Sequence, residues 1–394
     1  MADGSGLSGL MPARLDRPGL LFALIGLVGL VLPLVQFRPN RILPGAGFPL
    51  YDALPWGAGL TVVLAALLVA GAFRMPMIWR VCGALAAMLA LLLALGAASG
   101  HLTPEGDRLA RVSPASGFWL VGLALAMTLA DGVARMRPSL VIRWLLLALV
   151  IAGLIAVLAS GALAEVSVMR EYTARRDLFL REAQAHLVLA FGSLALALLV
   201  GLPLGVGLYQ SRAMRGPVLS VLNILQTIPS LALFGIMIPV FGWIAANVPG
   251  AAQAGVAGIG VFPALVALFL YSLLPVVSNT LTGLNRVNPA TREAAIGLGM
   301  TRAQVLAGVL VPLALPVLLA AVRIVLVQNI GLAVIAGLIG GGGFGTFVFQ
   351  GLNQTAMDLV LLGALPTIAL ALIAGIALDL LVRATSRTTE RPAP

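Results

Sequence analysis

Asn288-Pro289-Ala290-Thr291-Arg292-Glu293-Ala294-Ala295-Ile296-Gly297-Leu298-Gly299-Met300-Thr301-Arg302-Ala303-Gln304 is a polar island between long apolar runs, and it spells two short helices meeting at a corner. Asn288 suits an N-cap, because its side-chain oxygen can accept from a free backbone N–H. Pro289 suits the first helical position, where a missing N–H costs nothing. Gly299 stands where a helix C-terminus favours a residue without a Cβ. Thr301 then opens a Thr-x-x-Gln box, in which Thr301 and Gln304 can satisfy each other's backbone N–H groups. A membrane chain seldom needs a built corner merely to join two spans. The stretch therefore reads as a docking element for a soluble partner.

That the flanks are membrane spans follows from composition. Hydrophobic residues make up 60% of the chain and charged residues 10%. Apolar runs of roughly 20 residues recur, the length a helix needs to cross ~30 Å of hydrocarbon. The net charge of +10 does not point to nucleic acid: all 24 basic residues are Arg, and they cluster at the ends of apolar runs as topology signals. Without lysine the chain can form neither a Walker A loop nor a Schiff base. Its single cysteine, Cys82, cannot form an intramolecular disulfide, and with only His101 and His186 as further soft ligands no metal site is expected. Arg14 and Arg17 precede an apolar run with no small-residue cleavage pattern, so the N-terminal run is expected to be a retained span.

The pattern predicts an all-α integral membrane protein of about ten transmembrane helices, at 19–36, 57–73, 77–98, 117–134, 140–163, 187–209, 217–243, 256–281, 304–327 and 359–382. With the N-terminus inside, fifteen arginines fall in inside segments and eight outside. That excess favours both termini and the 286–304 corner in the cytoplasm. All five tryptophans lie at predicted span ends, as an interfacial belt requires. Residues 1–164 form a first membrane portion of five spans. Residues 165–186 mix arginines with Glu165, Glu171, Asp177 and Glu182 around apolar positions and read as an external or interfacial helix, serving either as a solvated linker or in partner binding. Residues 187–382 hold the other five spans, and 383–394 form a cytoplasmic tail.

The second half differs in kind. Asn223, Gln226, Thr227 and Ser230 surround Pro229, while Tyr271 and Asn279 flank Pro275. A proline inside a membrane helix frees a carbonyl that a neighbour or water must satisfy. Two readings fit these polar residues: a pathway lining, or inter-helix hydrogen bonds that serve packing alone. The glycine run Gly337–Gly345 lacks the Lys-Ser/Thr that a phosphate cradle needs, and reads as a tight, mobile turn packed against helices. Four charges fall within or near spans. Arg323 is expected to snorkel to the outer interface, Asp358 to lie at the outer start of its span, and Asp379 and Asp131 near inner ends. No carboxylate relay for proton coupling is visible.

Glu293-Ala294-Ala295, Gly299 and Val309-Leu310-Val311-Pro312 resemble the EAA loop of binding-protein-dependent ABC importer permeases, with Val309 and Val311 replacing that pattern's Ile and Leu. Gln226–Gly235, Gly201–Gly205 and Ile339–Gly345 are similar to motifs of the osmoprotectant class, which handles glycine betaine, choline or carnitine. The likeness covers about 186–382, leaving the first five spans as an N-terminal extension. It implies a type I importer permease core in the C-terminal five helices, with no catalysis in this chain. Glu293 would contact a separate ATPase, Ala294 and Ala295 would allow close approach, Gly299 would set the bend, and Pro312 would close the motif. The expected partners are two ABC ATPase subunits, which bind the ATP and magnesium, an extracytoplasmic solute-binding protein, and a second permease copy or a paralogous permease. The chain itself would hold no cofactor and contact membrane lipids but no nucleic acid. The rival reading is a free-standing secondary transporter with 5+5 inverted repeats. Against it, the first half lacks any counterpart to the Pro229 region or the corner.

Overall fold

The computed structural model describes residues 15–40, 43–104, 106–107 and 109–389, so Arg14, Arg41, Arg108 and Arg391, used above as topology signals, lie outside the described residues. The chain forms two compact units that divide between Ala174 and Arg175.

The first unit runs α1 (Arg17–Val31), β1 (Val35–Arg38), β2 (Ala46–Phe48), α2 (Leu50–Ala53), α3 (Gly57–Gly71), α4 (Met77–Leu102), β3 (Arg111–Pro114), α5 (Ser116–Met136), α6 (Leu140–Ala159) and α7 (Ser167–Ala174). The three strands form a small antiparallel sheet in the order β2-β1-β3, with Val35 facing Phe48 on one side and Pro114 on the other. It was not anticipated, because runs of three or four residues are too short to show a period of two. Fully buried Val35 and Val112 anchor it.

Arg80 of α4, its side chain 1% exposed, pairs with Asp16 at 2.6 Å and Asp131 at 3.3 Å, and donates to the Gly71 carbonyl. Arg135 reaches both carboxylates at 2.9 Å. Asp131 thus belongs to a four-member cluster that ties α1, α4 and α5 together. Burial by itself would raise the Asp16 carboxyl pKa, but hydrogen bonds and charge from Arg80 and Arg135 hold it below its ordinary value.

The second unit runs α8 (Arg176–Gln210), α9 (Arg212–Thr227), α10 (Ser230–Asn247), α11 (Val261–Arg286), α12 (Pro289–Gly297), α13 (Arg302–Val305), a π-helical stretch Leu306–Leu310, α14 (Val311–Leu332), a 3-10 turn Ile335–Ile339, α15 (Gly345–Asn353) and α16 (Met357–Thr389). Helices α8 and α11 cross at Gly201 and Gly205. A Cβ at either glycine would stand within 2.7 Å of Val276 or Thr280. This is the close approach that small residues four apart allow in membranes.

Eight helical stretches among the described residues are long and apolar enough to cross a membrane. The predicted first and second spans appear as α1 and α3, apolar but only 15 residues each. Three boundaries also differ from expectation. Segment 165–186 is not one separate helix, because no breaker follows Arg176 and α8 runs unbroken for 35 residues. The span predicted at 217–243 is cut in two, since Pro229 lacks an N–H and holds Ile228 extended at φ −67° and ψ 125°. The next begins at Val261, because Gly255 and Gly260, with φ of +87° and +111°, keep the preceding chain out of helix. Arg323 does not snorkel outward alone. It donates to Asp379 of α16, which also accepts from Arg383 at 2.7 Å. Pairing lowers the cost of both charges in a span.

Candidate functional site

The corner is built as its residues dictate. Asn288 Oδ1 accepts from the Ala290 N–H at 2.9 Å, capping α12. At the other end Gly299 turns the chain with φ +83°, and the N–H groups of Gly299 and Met300 close back on Ile296 and Ala295 at 2.9 and 3.2 Å. The Thr301–Gln304 box forms in both directions: Gln304 Oε1 accepts from the Thr301 N–H at 2.8 Å, and Thr301 Oγ1 from the Gln304 N–H at 3.4 Å. The second helix of the corner is the base of a span, since α13 continues through the π stretch into α14. Pro312, in the first turn of α14, has no N–H for the carbonyl four residues back. The local shift to wider hydrogen bonding at Leu306–Leu310 sits beside that loss.

Burial divides the corner into a foot and a face. Ala295 is buried among Leu284, Val305, Leu310 and Ala314, which seats α12 on the bases of α11 and α14. Glu293 and Ala294 are exposed. Ile296 and Leu298 are 53% and 85% exposed, so a carboxylate stands among uncovered apolar side chains. Arg292 leans away from this face to bond the Tyr209 hydroxyl at 3.3 Å. Ala294 and Ala295, expected to share one role, are thus separated: the first faces outward, the second packs within its own chain.

The candidate pathway residues separate too. Asn223, Thr227 and Pro229 are exposed along α9 and the break, with Ser230 half-buried at the start of α10. Thr227 spends its hydroxyl on the Ile224 carbonyl at 2.7 Å. Gln226 and Tyr271 meet: Gln226 Nε2 donates to the Tyr271 carbonyl at 2.8 Å, and the Tyr271 hydroxyl donates to the Ile228 carbonyl. Asn279 lies two turns further along α11, where its Nδ2 donates back to the Pro275 carbonyl of its own helix at 2.8 Å. Beside Pro229 the structure brings Gln226 and Tyr271 together, and Asn279 stands apart from them.

One buried constellation was missed. Asn329 Nδ2 donates to Ser193 Oγ at 2.8 Å and to Ser272 Oγ at 2.9 Å, joining α14, α8 and α11 through three side chains that are 0% exposed. Asn329 in an apolar helix was the available signal. The glycine run wraps the N-terminal part of α8. Thr346 donates to Glu182 at 3.1 Å, and the Phe344 N–H to His186 Nδ1 at 3.4 Å. A Cβ on Gly342 would meet Glu182 Oε2 at 3.0 Å, so a carboxylate stands where a phosphate cradle would need its anion.

Comparison with known proteins gives two matches along the chain. Residues 194–388 match the family described as binding-protein-dependent transport system inner membrane component, and residues 16–169 match the N-terminal domain of ABC transporter permease YehY. The osmoprotectant import permease protein OsmW of Salmonella typhimurium is 43% identical over 188 residues, covering 48% of this chain and 82% of that protein. The choline transport system permease protein OpuBB of Bacillus subtilis is 38% identical over 188 residues, covering 48% and 79% respectively. A chain of the MetNI methionine ABC transporter in an inward-facing form is 28% identical, with coverage of 53% and 96% and a TM-score of 0.46. The two halves of the chain carry different descriptions, whereas a carrier of two inverted copies would carry one description twice.

Proposed function

The chain belongs to the binding-protein-dependent ABC importer permeases, and from that premise we propose that it forms the translocation pathway for a quaternary ammonium osmoprotectant such as glycine betaine or choline. It is a multi-pass inner-membrane transport subunit, not an enzyme. The observation that carries the coupling assignment is the corner's exposed face. Glu293 and Ala294 point outward from a short helix whose buried foot, Ala295, is seated on α11 and α14. A cleft in a separate ATPase that grips this helix moves both spans at once. Gly299 keeps the bend, and Pro312 marks where the corner's second helix becomes a span.

In this reading both termini and the corner face the cytoplasm. Residues 187–382 act as the permease core, in which Asn223, Thr227 and Ser230 face the solute route. Two permease subunits, as a homodimer or with a paralogue, work with two ATPase subunits that hold ATP and magnesium. An extracytoplasmic solute-binding protein delivers the solute. A quaternary ammonium needs an aromatic cage for cation–π attraction, and that cage belongs to the delivering protein.

The test is mild-detergent purification of the tagged chain with mass spectrometry of what accompanies it. A stoichiometric ATPase that is lost on Gly299→Asp or Glu293→Arg supports the proposal, together with loss of ATP-driven uptake by inserted, folded protein. Normal uptake by both variants would sink the coupling assignment.

A further inference from the structure

We infer that Gln226 and Tyr271 form a two-bond clasp by which the broken pair α9–α10 is hinged on a rigid core of α8, α11 and α14, which makes them positioning residues for transport. The inference rests on the permease reading above. Pro275 has no N–H to give the carbonyl four residues back, which is that of Tyr271. Gln226 Nε2, in the last turn of α9, fills this vacancy at 2.8 Å. In return the Tyr271 hydroxyl donates to Ile228, whose carbonyl stands in the gap between α9 and α10. Two helices interrupted by prolines thus satisfy each other's interrupted backbones.

The core behind the clasp is locked. Asn329 joins Ser193 and Ser272 in a fully buried network across the three core helices. Ser272 follows Tyr271, and consecutive helical residues point about 100° apart. One turn of α11 therefore faces the lock with one residue and the hinge with the next. By contrast α9 buries only Leu222, and α10 only Leu233, Phe234 and Met237. The pair meets the core mainly through partly buried side chains such as Val218, Leu219 and Ile228, and the Asn329 network draws on none of its residues. Each clasped carbonyl is already committed to a side-chain donor of the other helix, so the bonds persist while the helices swing. Beyond Pro275, α11 runs to Arg286 and joins the corner through Val287 and Asn288. A pull on the corner therefore arrives at the turn of α11 that holds Tyr271 and Pro275.

The experiment compares the unaltered assembly with Tyr271→Phe and Gln226→Leu, each purified with its ATPase and reconstituted with binding protein. Uptake of radiolabelled glycine betaine, ATP hydrolysis and thermal midpoint are read together. The expected result is a roughly tenfold fall in maximal uptake, with KM within twofold, ATP hydrolysis persisting, and a nearly unchanged midpoint. Maximal uptake equal to the unaltered assembly overturns the clasp while leaving the permease reading intact. A fall in uptake that follows a falling midpoint also overturns it, because the bonds would then serve only packing. Absence of ATP-driven uptake from the unaltered assembly overturns the permease reading and the clasp with it.

Discussion

The corner at 288–304 and the clasp at Pro229 and Pro275 both interrupt helices, and they satisfy the freed backbone groups by opposite means. At the corner each partner lies two to five residues away: Asn288 with Ala290, Thr301 with Gln304, Gly299 with Ile296, Met300 with Ala295. At the clasp the partners are 45 and 43 residues apart in the chain. The difference follows from solvent. A corner in water needs only its most directional groups capped, because water takes the rest. A break in hydrocarbon must borrow its donors from another helix. The corner is therefore free to dock a partner, whereas the break is committed to its own chain.

That contrast can be broken by substitution. The largest effect is expected where a long-range device holds a buried charge, as at Arg80 in the ion cluster of the first unit. Asp16→Asn leaves Arg80 with Asp131 as its remaining carboxylate and should cost about 2–3 kcal/mol, read as a lowered thermal midpoint in detergent. The same cluster gives a pH dependence of definite sign. The folded Asp16 carboxyl lies below the unfolded value near 3.8, so its stabilisation is present above about pH 4 and lost as pH falls through the folded pKa. The midpoint of the parent protein should fall more steeply below pH 4 than that of Asp16→Asn. Equal slopes would remove Asp16 from the account.

Next in size is Gly205→Leu, which drives a side chain into Thr280 and toward the Val277 carbonyl 3.2 Å from the Cβ position. Overpacking at this crossing should cost about 1–3 kcal/mol, seen as lost thermal stability with the corner's local structure retained. The smallest change is Thr301→Ala. It removes one half of a capping box and should cost about 1 kcal/mol, confined to the corner and detected as faster amide exchange at Gln304. If Thr301→Ala instead destabilised the whole second unit as much as Gly205→Leu, the corner would not be the locally satisfied element described above.

What could be read in advance follows the same division. Asn288, Pro289, Gly299, Thr301 and Gln304 announced their roles because caps and left-handed turns depend on neighbours a few residues away. Apolar length and interfacial tryptophans likewise announced the spans, and Pro229 the presence of a disturbance. Its consequence, two helices instead of one, was missed because hydropathy continues unbroken across it. Arg323 was misplaced for a related reason: its depth was counted along one helix, while its partner Asp379 lies on another.

Sequence by itself determined the membrane class and the corner with its caps, because both are settled by short-range chemistry and by the length of apolar runs. Only the tertiary structure decided which face of the corner stays open, that Ala295 packs inward while Ala294 does not, and that Gln226, Tyr271, Ser193, Ser272 and Asn329 serve one another. Hydrogen bonds between helices depend on which helix packs beside which and in what register, and no local spacing encodes that choice.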